Sequence, residues 1–320
     1  MKRKSCLVVL LIGMVVTGTL SAQEKYVLKA ELAPGKYLQT VKVKTVSNTK
    51  AGGMKHGIPV TQEQTFKILL DVSEPETNGT QKVKMAITEY KMNQSAMGQQ
   101  MVYDSTNPDK SGNKPLDKVL EAMTKMEFTF DLTQEGKAEN YKGIEEFWEK
   151  MAQGLSESSI AKEMFESMKK SFGDEMISKM AGEWENFHDK TPRAVGEEWK
   201  STSQAAIPML GETETEVTSK LESVEGDIAV ITGHGIIKSA GNEMEMGPMK
   251  FQVNDTSIIT SSTTKFRLKT KRPEETVTEA VMKMSMTMIP GENFPIPDGK
   301  PMEMEMDSTS TTVVTTEAIQ

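Results

Sequence analysis

The chain has 320 residues, 37% of them hydrophobic and 26% charged, which is long enough for one large domain or two smaller ones and too apolar for a disordered chain. A formal charge of -8, from 38 bases and 46 acids, excludes a general nucleic-acid binder, which needs a basic surface to neutralise phosphates. The same acidity disfavours adhesion to anionic lipid by charge.

Residues 1–22 read as a secretory signal peptide. Lys2, Arg3 and Lys4 form a positive start, Leu7 to Val16 a short apolar run, and Thr19-Leu20-Ser21-Ala22 a zone of small residues with cleavage expected after Ala22. The run falls short of the roughly 20 residues that a membrane span needs. A lipoprotein needs a cysteine directly after the apolar run, whereas the only cysteine, Cys6, precedes it. The expected product is secreted or periplasmic, begins at Gln23 and carries 35 bases against 46 acids, a net -11. Without a thiol it has no disulfides and no thiolate chemistry.

Residues 23–140 form an N-terminal β-rich region. The stretch 37–46 alternates β-branched and polar residues. Phe66, Ile68, Leu70 and Val72 share one parity, as do Val83, Met85 and Ile87, with Asn78-Gly79 between them as a hairpin signal. Phe128, Phe130 and Leu132 continue the pattern. One helix interrupts it, capped at Asn113, with Pro115 in its first turn and Leu116, Val119, Leu120 and Met123 on one stripe.

Residues 141–194 read as a helical insert. Its stripes are Ile144, Phe147, Trp148 and Met151, then Ile160, Met164, Phe165, Met168 and Phe172, then Ile177, Met180, Ala181 and Trp184. Residues 195–320 return to strands, expected at 213–224, 227–238, 249–260, 261–271, 277–289 and 301–316. Turns are expected at Glu225-Gly226-Asp227, Arg272-Pro273 and Pro297-Asp298-Gly299. Short links without helices imply antiparallel pairing. The fold class is therefore α+β: antiparallel sheets, curved or half-barrel-like, with the helical insert lying against them, and residues 23–320 are compatible with one domain.

Methionine is the compositional anomaly, with 25 residues. Met282, Met284, Met286 and Met288 share one parity, Met302, Met304 and Met306 another, and Met244, Met246 and Met249 add a third group. A period of two puts each set on one side of a strand. Three chemistries compete: ordinary core, an adaptable apolar groove for a hydrophobic ligand, and Cu(I) coordination by thioethers. The first two are preferred, since copper sites combine Met with His or Cys, and His56, His188 and His234 stand at no ligand spacing. The seven methionines of the two hairpin strands are the candidate ligand-binding residues. Metal and cofactor sites are not expected.

No nucleophile elbow, phosphate loop, zinc-protease or dinucleotide motif is present. Lys265, Arg267, Lys269 and Lys271 put four cations on one strand face, read as a solvated, charge-guarded edge. Trp148 and Trp184 lie on helix stripes and read as core.

Several segments carry a family resemblance. Pro34-Gly35-Lys36-Tyr37-Leu38 leads into the first long strand, and Tyr103-Asp104-Ser105-Thr106-Asn107-Pro108 follows it. Further on come Phe128-Thr129-Phe130-Asp131-Leu132-Thr133-Gln134-Glu135-Gly136-Lys137 and Pro192-Arg193-Ala194-Val195-Gly196-Glu197-Glu198-Trp199. In order and spacing the chain resembles the uncharacterised secreted bacterial family called domain of unknown function 6263. That resemblance implies structural turns and strand lead-ins and no catalytic residues. The expected function is a non-catalytic exported protein that binds a hydrophobic small molecule or an envelope protein. The competing readings are a hydrolase of an envelope or dietary polymer, and a structural or interaction protein.

Overall fold

The computed structural model describes residues 24–52, 56–107, 126–134, 136–154, 190–207, 210–239, 243–246, 249–289 and 301–319, with single positions 54, 117, 120, 121, 124 and 241 between them. The strands are β1 (Lys25–Tyr26), β2 (Gly35–Ala51), β3 (Ile58–Val72), β4 (Gln81–Ala96), β5 (Gln99–Asp104), β6 (Glu127–Leu132), β7 (Ala138–Lys142), β8 (Arg193–Ala194), β9 (Glu198–Ile207), β10 (Gly211–Glu225), β11 (Ile228–Ser239), β12 (Glu243–Met246), β13 (Met249–Arg267), β14 (Arg272–Ile289) and β15 (Met302–Ile319). Helix α1 spans Ile144–Gly154, and the described positions 117, 120, 121 and 124 are also helical.

Thirteen strands make one antiparallel sheet in the order β7-β6-β4-β3-β2-β15-β14-β13-β11-β10-β9, with β5 on β4 and β12 on β13. The path is a meander that runs outward from β2 to β7 and starts again at β9. It then returns inward until β15 pairs with β2. That seam runs from Met304↔Ala51 to Ile319↔Lys36 and joins the two halves. Among the described residues the sheet is open, with edges at β7 and β9. The helical insert is represented by α1 alone; its two later stripes, like residues 113–116, lie outside the described residues.

Two expected turns form where glycine permits positive φ, and the expected turn at Pro297-Asp298-Gly299 lies outside the described residues. Gly79 (φ 81°) turns β3 into β4 and Gly226 (φ 60°) turns β10 into β11. Two expectations are corrected. The stretches 249–260 and 261–271 are one strand, β13, because its alternation continues through Ser261 without a breaker. Arg272-Pro273 opens β14 instead of turning, and the reversal comes just before it, at Lys271 (φ 50°).

One face of the sheet is covered. At the N-terminal half, Tyr37, Ile68, Leu70, Val83, Met85, Phe128 and Phe130 pack under Ile144 and Trp148 of α1. Gly143 allows the helix to start there: its φ is 94°, and a Cβ would sit 2.6 Å from the carbonyl oxygen of Glu127. Glu145 and Glu146 in the first turn complement the helix dipole. At the C-terminal half, a strap of residues 24–34 crosses the face. Its Leu28 and Ala30 close over Leu221, Ala229, Ile231 and Phe266, while Leu32 joins the N-terminal cluster. The strap is pinned by β1–β8 pairing, by the Glu31 N–H donating to the Lys271 carbonyl at 2.7 Å, and by the Lys271–Glu31 ion pair at 2.9 Å.

Among the described residues the opposite face is exposed and mostly polar, crossed by a row of paired, exposed apolar residues: Ile236, Ile259, Val281 and, past Thr309, Val46.

Candidate functional site

The two methionine sets meet in direct register. Met284 pairs with Met306, Met286 with Met304 and Met288 with Met302 across the β14–β15 ladder. Their side chains share the covered face. Met284 and Met286 are buried with Leu210, Val253 and Ile258, Met282, Met304 and Met306 pack partly buried against them, and Met288 is buried too. Met244, Met246 and Met249 fall on β12 and β13, but their side chains lie outside the described positions. The thioethers thus form one contiguous patch with ordinary aliphatic neighbours. Among the described residues no His, Cys, Asp or Glu cluster suited to a metal adjoins it. Exchanging Met282, Met284, Met286 and Met288 together for Leu should keep the fold, at under about 1.5 kcal/mol per swap, because volume is nearly kept. Thermal unfolding and a Cu(I) titration check this. A tight Cu(I) site in the wild type, lost from a well-folded variant, would reject packing as their role.

A second feature lies on the same face, between the methionine patch and the cluster beneath the strap. There the sheet carries small side chains. One paired row reads Ser219, Gly233, Ser262, Thr278 and Thr312 across β10, β11, β13, β14 and β15. The next reads Val217, Gly235, Thr260, Ala280 and Ser310. Above these rows is a cavity of about 350 Å³, roofed at one side by Leu28, Thr191 and Arg193 and walled by Trp199 and Ile231.

Gly233 and Gly235 have strand conformations that any residue adopts, so backbone freedom does not explain them. Space does. A Cβ on Gly233 would sit 2.6 Å from Ser262 Oγ, and one on Gly235 would sit 2.3 Å from Thr260 Oγ1. The neighbouring hydroxyls lean across the glycines and pave the floor. His234, between these glycines, projects exposed from the opposite face. Two glycines at one parity inside a strand, facing serine and threonine at one parity in the next, was the signal available.

The described charged groups at the rim are all engaged. Arg193 bonds Glu197 at 2.9 Å and lies over the Trp199 ring at 5.0 Å. The Ala194 N–H and then Arg193 hold the Glu197 carboxyl below its usual range. Glu274 takes both arms of Arg267, which lowers its pKa, and Arg267 also reaches Asp227 at 3.4 Å. Glu275 pairs with Lys265 at 2.7 Å. The four-cation stripe is therefore corrected: β13 ends at Arg267, Lys269 and Lys271 sit in the turn, and Lys265, Arg267 and Lys271 each have a carboxylate partner. Of the tryptophans, Trp148 is core and Trp199 borders the cavity, while Trp184 lies outside the described residues.

Residues 78–272 match the model of the Family of unknown function (DUF6263), so the chain belongs to that family. No curated protein matches. Among solved structures, the chain is similar to lipovitellin at TM-score 0.44 and 9% identity, covering 91% of this chain and 26% of that one. It is also similar to the outer membrane protein OprG from Pseudomonas aeruginosa at TM-score 0.25 and 6% identity, covering 92% of this chain and all of that one. The chain thus spans about a quarter of the lipovitellin chain, and likenesses this slight assign it no activity. Among the described residues no helix is long and apolar enough to cross a membrane.

Proposed function

We propose that this member of the DUF6263 family is an exported, non-catalytic binding protein that holds a hydrophobic ligand in the cavity between the strap and the sheet. One observation carries the reading: the covered face is packed at both ends and hollow in the middle, where glycine and small hydroxyl residues replace the large apolar ones. Glycine inside a strand costs roughly 0.5–1 kcal/mol against alanine, and two at one parity sacrifice stability for open space. A volume of about 350 Å³ falls in the range of small-molecule pockets. Glu274 and Glu275 at the rim are committed to ion pairs with Arg267 and Lys265, an arrangement that suits fixed charge and not proton transfer. Export rests on the signal-like residues 1–22.

The test is purification from the native host followed by N-terminal sequencing and native mass spectrometry. The expected protein begins at Gln23 and carries a small apolar molecule. Gly233→Val should lose that molecule and stay folded: its Cβ meets the Ser262 hydroxyl, which can turn aside, with Val217 Cγ1 at 3.7 Å, and its methyls take up part of the hollow. Ligand-free wild type that also fails to bind a fluorescent naphthylamine probe would end this reading, as would a folded Gly233→Val protein that still retains the ligand.

A further inference from the structure

We propose that the ligand is an uncharged amphiphile with a hydroxyl-bearing head, of the glyceride or glycoside class, and not a fatty-acid anion. This rests on the cavity being a ligand site and adds the chemistry of what enters it. Three features of the lining converge.

The first is charge. Every described charged side chain at the rim already has a counter-charge from the protein: Arg193 has Glu197, Glu274 has Arg267 and Glu275 has Lys265. Arg193 is the nearest cation to the roof, and it is engaged twice, by a carboxylate and by the Trp199 ring. An incoming carboxylate would have to displace Glu197 or remain unpaired in a partly dry site, and an unpaired buried charge is the costliest polar error a site makes. Specificity against anions follows from that repulsion without a dedicated contact.

The second is the kind of polar group left over. Ser262, Thr278 and Thr312 lie opposite one another on three adjacent strands, with Ser219 beyond Gly233. Neighbouring strands are about 4.8 Å apart, so the hydroxyls form a ladder at that spacing. A hydroxyl both donates and accepts, and so does the head of a polyol. A carboxylate only accepts and would satisfy half of that capacity.

The third is the apolar share. Leu28, Ile231 and Val314, with the indole of Trp199, offer a surface for a chain on the side of the strap. A head that hydrogen-bonds and a tail that does not fit the two sides of one hollow.

The experiment compares two probes with the same twelve-carbon chain, monolaurin and laurate, each below its aggregation threshold, by titration calorimetry on the full mature chain at neutral pH. Monolaurin should bind about tenfold tighter or better. Laurate binding as tightly as monolaurin would overturn the head-group assignment and leave the carrier reading standing. Failure of both probes, together with failure of the naphthylamine probe, would overturn the carrier reading as well. The variant Glu197→Gln keeps an acceptor for the Ala194 N–H but removes the charge that neutralises Arg193. Laurate affinity should then rise about fivefold or more while monolaurin stays unchanged. A folded Glu197→Gln protein with unaltered laurate affinity would show that charge pairing at Arg193 is not what excludes the anion.

Discussion

Phe266→Ala should lower stability by about 3–5 kcal/mol, a fall in Tm of roughly 10 °C or more for a chain of this size. Phe266 is fully buried, at 0% exposure, in the cluster that receives Leu28 and Ala30 of the strap. Its ring sits near the end of β13, where a bulge between Lys265 and Phe266 re-aims the strand so that Phe266 faces Pro273 across the ladder. Leu221 and Ala229, both at 0% exposure, are its companions, so the hole left by the ring has little slack to collapse into. The strap would lose part of its seat, and residues 24–34 should become the first site of proteolytic cleavage. Thermal unfolding and limited proteolysis read the two effects. A Tm within about 2 °C of wild type would mean that the strap cluster is not a core.

Alternation made most of the sheet legible. The parities of Phe66, Ile68, Leu70 and Val72, and of the methionines on β14 and β15, gave strands, faces and an antiparallel hairpin, and the ladder places those faces as the period of two requires. The link between β2 and β15 was not legible, because pairing between strands more than 250 positions apart leaves no local mark; Thr45 and Ser310 bond side chain to side chain at 3.2 Å across that seam. The strap was missed for a related reason. Leu28, Ala30 and Leu32 alternate like a strand, yet the segment's strand pairing among the described residues is confined to β1 with β8, a separate two-stranded piece. The candidate site was the least legible part. Methionine abundance drew attention to a patch that packs as core, whereas the hollow is made of what is missing from Gly233 and Gly235, and the absence of a side chain carries no compositional signal.

Val313→Pro should cost about 3 kcal/mol or more and split one unfolding transition into two. Val313 lies mid-strand in β15, opposite Val277 of β14 and Lys42 of β2, so ladders run on both sides of it. Proline there has no N–H to give and its ring crowds a neighbour, which confines it to edges and bulges in native sheets. The position matters more than the single bond. Each half has its own packed cluster, Tyr37 to Trp148 on one side and Leu221 to Phe266 on the other. The described links between them include the β2–β15 seam, Leu32 of the strap, the Glu31–Lys271 contacts and Arg272 over the Tyr37 ring at 5.4 Å. Weakening the seam therefore lets one half unfold while the other keeps its core. Calorimetry of the wild type should give one peak and of the variant two, and urea titrations followed at Trp148 and at Trp199 should separate by half. A single, merely shifted transition in the variant would mean that the halves are coupled by more than the seam and the strap.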